Sequence, residues 1–320
     1  FFGQSLYHMK MYTTYLSYGI FGLLLLIGSS HTKSQTAGDT GCRIHSVADL
    51  HEFFQYSEDR IPLVCGHRGG AGAGLPENAT ATFEHTLSQE TVFFEVDPRL
   101  TKDSVIVVLH DATLDRTTTG QGKLSDYTYE EVQALFLKDA DGRATSYKVP
   151  LLEDVIQWAR GKTVLMLDKK DVPLPMLYDV ITKNRAESYV IVSAYSVEEA
   201  KFYHDRNKDI MIEAFITSHK RFEQYDESGI SWKNIIAYVS QPKSKDLYDK
   251  IHERGAMVMV YTARVFDKLP DKAQRGDAYR EIIANGADIL LSDRPVEAAQ
   301  AIKGLWPKES NKARFFKRVN

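Results

Sequence analysis

Arg280-Glu281-Ile282-Ile283-Ala284-Asn285-Gly286-Ala287-Asp288-Ile289-Leu290-Leu291-Ser292-Asp293 sets out the architecture in one short stretch. A helical pattern runs into Asn-Gly, where glycine can take the left-handed conformation that ends a helix. An apolar strand follows, interrupted by Asp288 alone, and stops at polar Ser-Asp. Continuous apolar strands belong to parallel sheets covered on both faces. The same grammar recurs over 155–168 around Gly161 and over 247–262 around Gly255, so the chain is read as repeated helix–strand units.

Counting such strands outward gives 63–66, 92–97, 164–169, 189–193, 210–215, 235–240, 257–261 and 288–292. Eight parallel strands close an α/β TIM (β/α)8 barrel. The run 105–109 follows the turn at Thr101-Lys102-Asp103-Ser104 too closely for a crossover helix, which predicts a hairpin arm ending at His110. Residues 111–149, polar and rich in turns, are expected as a small insertion at the barrel mouth, after the second strand. A doubly wound open sheet is the competing fold. The strand count, and reactive groups after the first three strands, favour closure.

At 320 residues, 43% hydrophobic and 26% charged, the chain can bury a sizeable core. A net charge of −3 and a pI near 6.4 give no broad positive field, so nucleic acid is not an expected partner. Near the start, Lys10 precedes an apolar run over 19–27 and the small residues Gly28-Ser29-Ser30. Residues 1–30 are expected to be a cleaved secretory signal with some upstream residues, sending the protein to the periplasm or outside the cell. The alternative is a retained anchor, but the apolar core is short of the roughly 20 residues a span needs, so no stable span is expected once the signal is cleaved. Residues 31–60 then lead into the barrel at 61–303, and 304–320 form a basic, solvated tail. Of the two cysteines, Cys42 and Cys65, the second ends an apolar strand and reads as a buried thiol, although an oxidising compartment would permit a disulfide. Oligomeric state is not legible.

Glu95 and Asp97 are one residue apart at a strand end and point to one side of the chain. Asp168 ends a third strand, with Lys170 two residues on. Three carboxylates suit a hard cation, Mg²⁺ or Ca²⁺, and Lys170 can meet a phosphate. His67 after the first strand and His110 after the hairpin arm can serve as an acid–base pair across one phosphorus, while Arg68 offers a charged fork. The inventory points to phosphate-ester cleavage.

These residues fall in short motifs: His67-Arg68-Gly69, Pro76-Glu77-Asn78, Glu95-x-Asp97, Thr101-Lys102-Asp103, His110-Asp111, Arg116-Thr117-Thr118, Pro150-x-Leu152-Glu153 and Ser292-Asp293-Arg294-Pro295. In that order the chain resembles the glycerophosphodiester phosphodiesterases from about Leu63 to Pro295. The resemblance implies a TIM barrel and metal-dependent hydrolysis of small-molecule glycerophosphodiesters to glycerol 3-phosphate and an alcohol. It implies His67 and His110 as the acid–base pair, Glu95 and Asp97 as metal ligands, and Arg68 and Lys170 as phosphate partners. Asp168 departs from the family's usual Glu-x-Lys pattern; the related venom sphingomyelinase D barrels carry Asp at that strand end, which supports it as the third ligand. Val260-Tyr261-Thr262-Ala263-Arg264 likewise departs from the family's Trp-Thr-Val-Asn. Rival readings are a phospholipase D-like or phosphoinositol-cleaving barrel, a secreted phosphodiester-binding protein without turnover, and a barrel lyase using Lys170 as a Schiff base. The Pro76-Glu77-Asn78 and Arg116-Thr117-Thr118 segments argue against the first, and the retained reactive set argues against the second.

Overall fold

The computed structural model describes residues 40–316, and the expected signal at 1–30 lies outside them. Ten strands form: β1 Leu63–His67, β2 Phe93–Val96, β3 Pro98–Leu100, β4 Ile106–Val108, β5 Leu165–Leu167, β6 Val190–Ala194, β7 Met211–Phe215, β8 Ile235–Tyr238, β9 Met257–Tyr261 and β10 Ile289–Ser292. Eight of them close a parallel barrel in the order β1-β10-β9-β8-β7-β6-β5-β2, as the repeated units require. The remaining pair, β3 and β4, is the antiparallel hairpin that carries the chain to His110. At the three repeated stops Gly161, Gly255 and Gly286 have φ of 69°, 82° and 109°, conformations strained for any residue with a Cβ.

Alternation along each strand divides the core in two. Val64, Phe94, Leu165, Val192, Ile212, Val258 and Leu290 face outward beneath the helices. Leu63, Cys65, Phe93, Met166, Ile191, Met211, Ile236, Met259 and Ile289 face inward and fill the lower barrel. The floor below them is plugged by Leu50, Phe53 and Phe54 of helix Val47–Phe54, which Ser46 caps by accepting from the Asp49 amide.

Residues 304–316, the described part of the basic segment, do not run free in solvent, contrary to the expectation from its charge. Phe315 and Phe316 pack in the floor cluster, with the Phe315 ring edge-on to Phe53 at 5.6 Å. Lys312 is 4% exposed, and its ammonium donates to the carbonyls of Glu52, Phe53 and Gln55, the unpaired end of the plugging helix. A cation there satisfies three buried acceptors and complements the helix dipole, so composition misjudges its burial.

The insertion at 111–149 is a small body at the opposite end. Leu109, Leu114, Leu124, Val132, Leu137 and Val149 make its own apolar cluster, and Thr128 and Glu131 close a capping box on its short helix. Among the described residues no helix is long and apolar enough to cross a membrane.

Candidate active site

The inward parity that fills the floor also builds the mouth. One step past the packed layer, the same faces of the strands present His67, Glu95, Asp168, Glu213, Tyr238 and Tyr261 instead of aliphatic side chains. They line an inner chamber of about 240 Å³ with Arg68, His110 and Lys170. An outer chamber of about 500 Å³ continues from His67, Arg68 and His110 to Arg116 and Ala140 of the insertion. Catalytic groups at the carboxyl ends of the strands are what this architecture provides.

Each histidine is held through Nδ1. His67 Nδ1 lies 2.6 Å from Asp293 Oδ1, joining the first barrel strand to the residue after the last. His110 Nδ1 lies 2.7 Å from Asp111 Oδ1, and Arg116 grips that carboxylate from the other side at 2.7 and 2.9 Å. Both rings therefore keep Nε2 for other work; that of His67 is 4.0 Å from Glu95. Arg99 donates to the His110 carbonyl at 2.6 Å and to Asp171 at 3.0 Å, fixing the backbone beneath the ring. Burial pulls the His110 pKa below its ordinary value despite the opposing pull of the Asp97 charge and the Asp111 hydrogen bond. The ring is neutral near pH 7 and able to accept a proton.

Two non-glycine residues take left-handed backbone here, Arg68 at φ 52° and Asn78 at φ 58°. Both turns serve Glu95 and Asp97. The Arg68 amide donates to Glu95 at 3.0 Å, the Asn78 side-chain amide donates to Asp97 Oδ2 at 2.6 Å, and the Asn78 backbone amide donates to the Arg68 carbonyl at 2.9 Å. Strained backbone gathered at one spot is a mark of a functional site.

The three acids share a crowded space. Burial pushes the Glu95 carboxyl well above its usual range, reinforced by the charges of Asp97 and Asp168. Burial also acts to raise Asp97, but Lys170, then Arg68, outweigh it and hold that carboxyl at about 2. Lys170 stands 3.0 Å from Asp97 and also binds Asp168, whose other oxygen accepts from the Tyr195 hydroxyl at 2.6 Å. These acids outweigh the burial that would lower the Lys170 pKa, so the ammonium stays charged and offers no Schiff-base nucleophile.

The donor set fits a hard divalent cation. Glu95, Asp97 and Asp168 place ligand oxygens within 4.8 Å of one another. Asp97 Oδ1 is sealed from solvent and faces the Lys170 ammonium at 3.0 Å, and as a carboxylate oxygen it keeps a further lone pair for a metal.

All seven residues singled out in the sequence come together: His67, His110, Arg68, Lys170, Glu95, Asp97 and Asp168. Sequence reasoning gave no role to Asp293, Asp111, Glu77 or Arg116, which hold the reactive groups, although motifs contain them. Glu77 accepts from Arg116 at 2.8 Å and from Arg68 at 3.3 Å, tying insertion to barrel. Glu213 escaped notice altogether. It sits on β7 with the parity of Met211, and burial raises its carboxyl to about 8 despite a hydrogen bond from Ser193. Reading that parity strand by strand would have found it.

Comparison with known proteins agrees with this geometry. The glycerophosphoryl diester phosphodiesterase family model matches residues 67–297. A crystal structure of a glycerophosphoryl diester phosphodiesterase from Parabacteroides distasonis is similar with a TM-score of 0.85 at 49% identity, over 87% of this chain and 99% of that one. YqiK of Bacillus subtilis, an uncharacterized protein, is 28% identical over 255 residues, 75% of this chain and 98% of its own length. A glycerophosphodiester phosphodiesterase of Bacillus altitudinis is 37% identical over 111 residues, where the match spans 43% of that protein.

Proposed function

This chain belongs to the glycerophosphoryl diester phosphodiesterase family, a family of phosphoric diester hydrolases, and from that premise we propose how it divides the work of cleaving glycerophosphodiesters. The observation that carries the reading is the pair of histidines fixed through Nδ1 by separate aspartates, both lining the chamber that Glu95 and Asp168 also line.

Glu95, Asp97 and Asp168 would hold one Mg²⁺ or Ca²⁺, which when bound supplies positive charge to the phosphate oxygens. Arg68 and Lys170 add fixed positive charge on the same chamber. His110, neutral at rest, takes the proton of the attacking hydroxyl. His67 gives a proton to the departing alcohol oxygen, with ionised Asp293 orienting its ring through Nδ1. Burial acts to raise that aspartate, but the hydrogen bond and charge of His67, together with Arg68 and Lys268, outweigh it and keep it acidic. The neighbouring glycerol hydroxyl forms the new P–O bond as the bond to the alcohol breaks, which gives a cyclic phosphate, and one water then adds to phosphorus and opens that ring. The products are glycerol 3-phosphate and the alcohol.

Release of glycerol 3-phosphate from a glycerophosphodiester, followed with and without exhaustive EDTA, tests the cation. Turnover should vanish with chelator and return with Mg²⁺ or Ca²⁺, and Glu95→Gln should stay inactive in either metal. Full activity in EDTA would remove the cation from the mechanism.

A further inference from the structure

The inner and outer chambers share His67, Arg68, His110, Tyr261 and Arg264, and differ in what each adds. The inner one adds the carboxylates Glu95, Asp168 and Glu213, the Lys170 ammonium and the rings Tyr195, Phe215 and Tyr238. The outer one adds Glu77, Arg116, Lys268 and Asp293 among its charged groups. Most of those are already engaged. Arg116 is held by Glu77 and Asp111, and Asp293 is held by His67. Among the described residues, Arg264 and Lys268 make no salt bridge and no side-chain hydrogen bond; Arg264 rests over the Tyr261 ring at 5.9 Å, and that ring lies 5.2 Å from His67. Both exposed cations sit on the loop after β9, with Arg264 lining both chambers.

The balance of charge differs between the chambers. The inner one sets Glu95, Asp168 and Glu213 against Arg68, Lys170 and Arg264, whereas the outer one sets Glu77 and Asp293 against Arg68, Arg116, Arg264 and Lys268, a surplus of cations. A cationic alcohol entering the outer chamber would find no free carboxylate, and the Tyr261 face that could receive it already carries Arg264. We propose that the outer chamber receives the leaving alcohol and selects alcohols that carry a further anionic group, a phosphate or a carboxylate, which Arg264 grips with support from Lys268. A guanidinium is suited to this, since its fork matches two oxygens of either anion. The inference rests on the reading above, in which the reacting phosphorus lies between His67 and His110.

Matched diesters separate it from that reading. Glycerophosphoglycerol and its distally phosphorylated form differ by one phosphate; glycerophosphoethanolamine and glycerophosphoserine differ by one carboxylate. kcat/KM should favour the anionic member of at least one pair by about tenfold, the pair identifying which anion is read, with glycerophosphocholine a poor substrate. The preference should shrink as salt is raised. Arg264→Ala should abolish it and Arg264→Lys restore part of it. Equal rates within both pairs, preference for the choline ester, or a preference that survives Arg264→Ala would overturn the selectivity while leaving the catalytic reading intact. If no diester in the panel is hydrolysed, the catalytic reading fails and this inference with it.

Discussion

Both ends of the barrel bury acidic groups, and they treat them in opposite ways. At the floor, Asp288 is fully buried and fully answered: one oxygen binds Arg60, the other accepts from His252 at 2.8 Å and from the Val258 amide at 2.7 Å. Lys312 nearby spends its ammonium on three carbonyls. At the mouth, three acids crowd around Lys170 and Arg68, Arg68 Nε is buried 3.5 Å from Asp97 without a hydrogen bond, and two residues hold strained backbone. Cavity size does not separate the ends, since a hollow of about 360 Å³ lies beside the floor between Leu63, Trp306 and Phe316. What separates them is charge: beside the floor hollow the groups left without a hydrogen bond, Thr40 Oγ1 and Trp306 Nε1, are neutral, whereas at the mouth Arg68 Nε is charged. A closed network supports the fold, whereas surplus charge and open valences are held ready for something that binds.

Substitutions at the two ends should therefore move different quantities. The largest effect belongs to the mouth: His67→Ala and His110→Ala should each lower kcat by roughly 10²-fold or more, with Tm and metal content nearly unchanged. A folded, metal-loaded variant with almost normal kcat would remove that histidine from the reaction. Next comes the floor, where Asp288→Ala strands Arg60 and His252 and should cost about 3 kcal/mol of stability, read as a clear fall in denaturation midpoint. The kcat of the folded fraction should not change, and a large loss of kcat would join the two ends functionally.

A smaller effect tests the division of labour between the rings. The Asp111 hydrogen bond raises the His110 pKa, so Asp111→Asn should let it fall further below its ordinary value. For a group that must be unprotonated to act, the acid limb of kcat/KM then moves to lower pH, with kcat reduced about tenfold. A limb that stays in place would mean that His110 is not the base. The smallest effect concerns Glu213, whose folded pKa of about 8 lies above the ordinary 4.5. Because the folded state keeps a proton that the unfolded state has lost, this group's contribution is full below pH 4.5 and disappears as pH rises through 8. In chelator, Glu213→Gln should match the wild-type Tm near pH 4 and exceed it above pH 8. Parallel Tm curves across that range would show that the side chain is not buried as described.

Much of this was legible in the sequence, because the features concerned are periodic or local. The glycine stops announced helix–strand units, alternation placed Glu95 on the inward face, and the short spacing before residue 105 required a hairpin. The burial of Lys312 was not legible, because the carbonyls that justify it belong to Glu52, Phe53 and Gln55, far away in the chain, and the local composition reads only as charge. The Asp293 partner of His67 was hidden for the same reason. Adjacency of the first and last strands follows from closure, and only a closed ring tells which residues meet there.

That adjacency has a consequence for synthesis. The chain emerges with His67 early and Asp293 late, and they meet only when β1 pairs with β10. Every other barrel strand is made while His67 still lacks its aspartate, so a nascent or prematurely ended chain has no complete pair of oriented imidazoles. Competence for chemistry arrives with the final strand, which makes the first turnover a signal that the ring has shut.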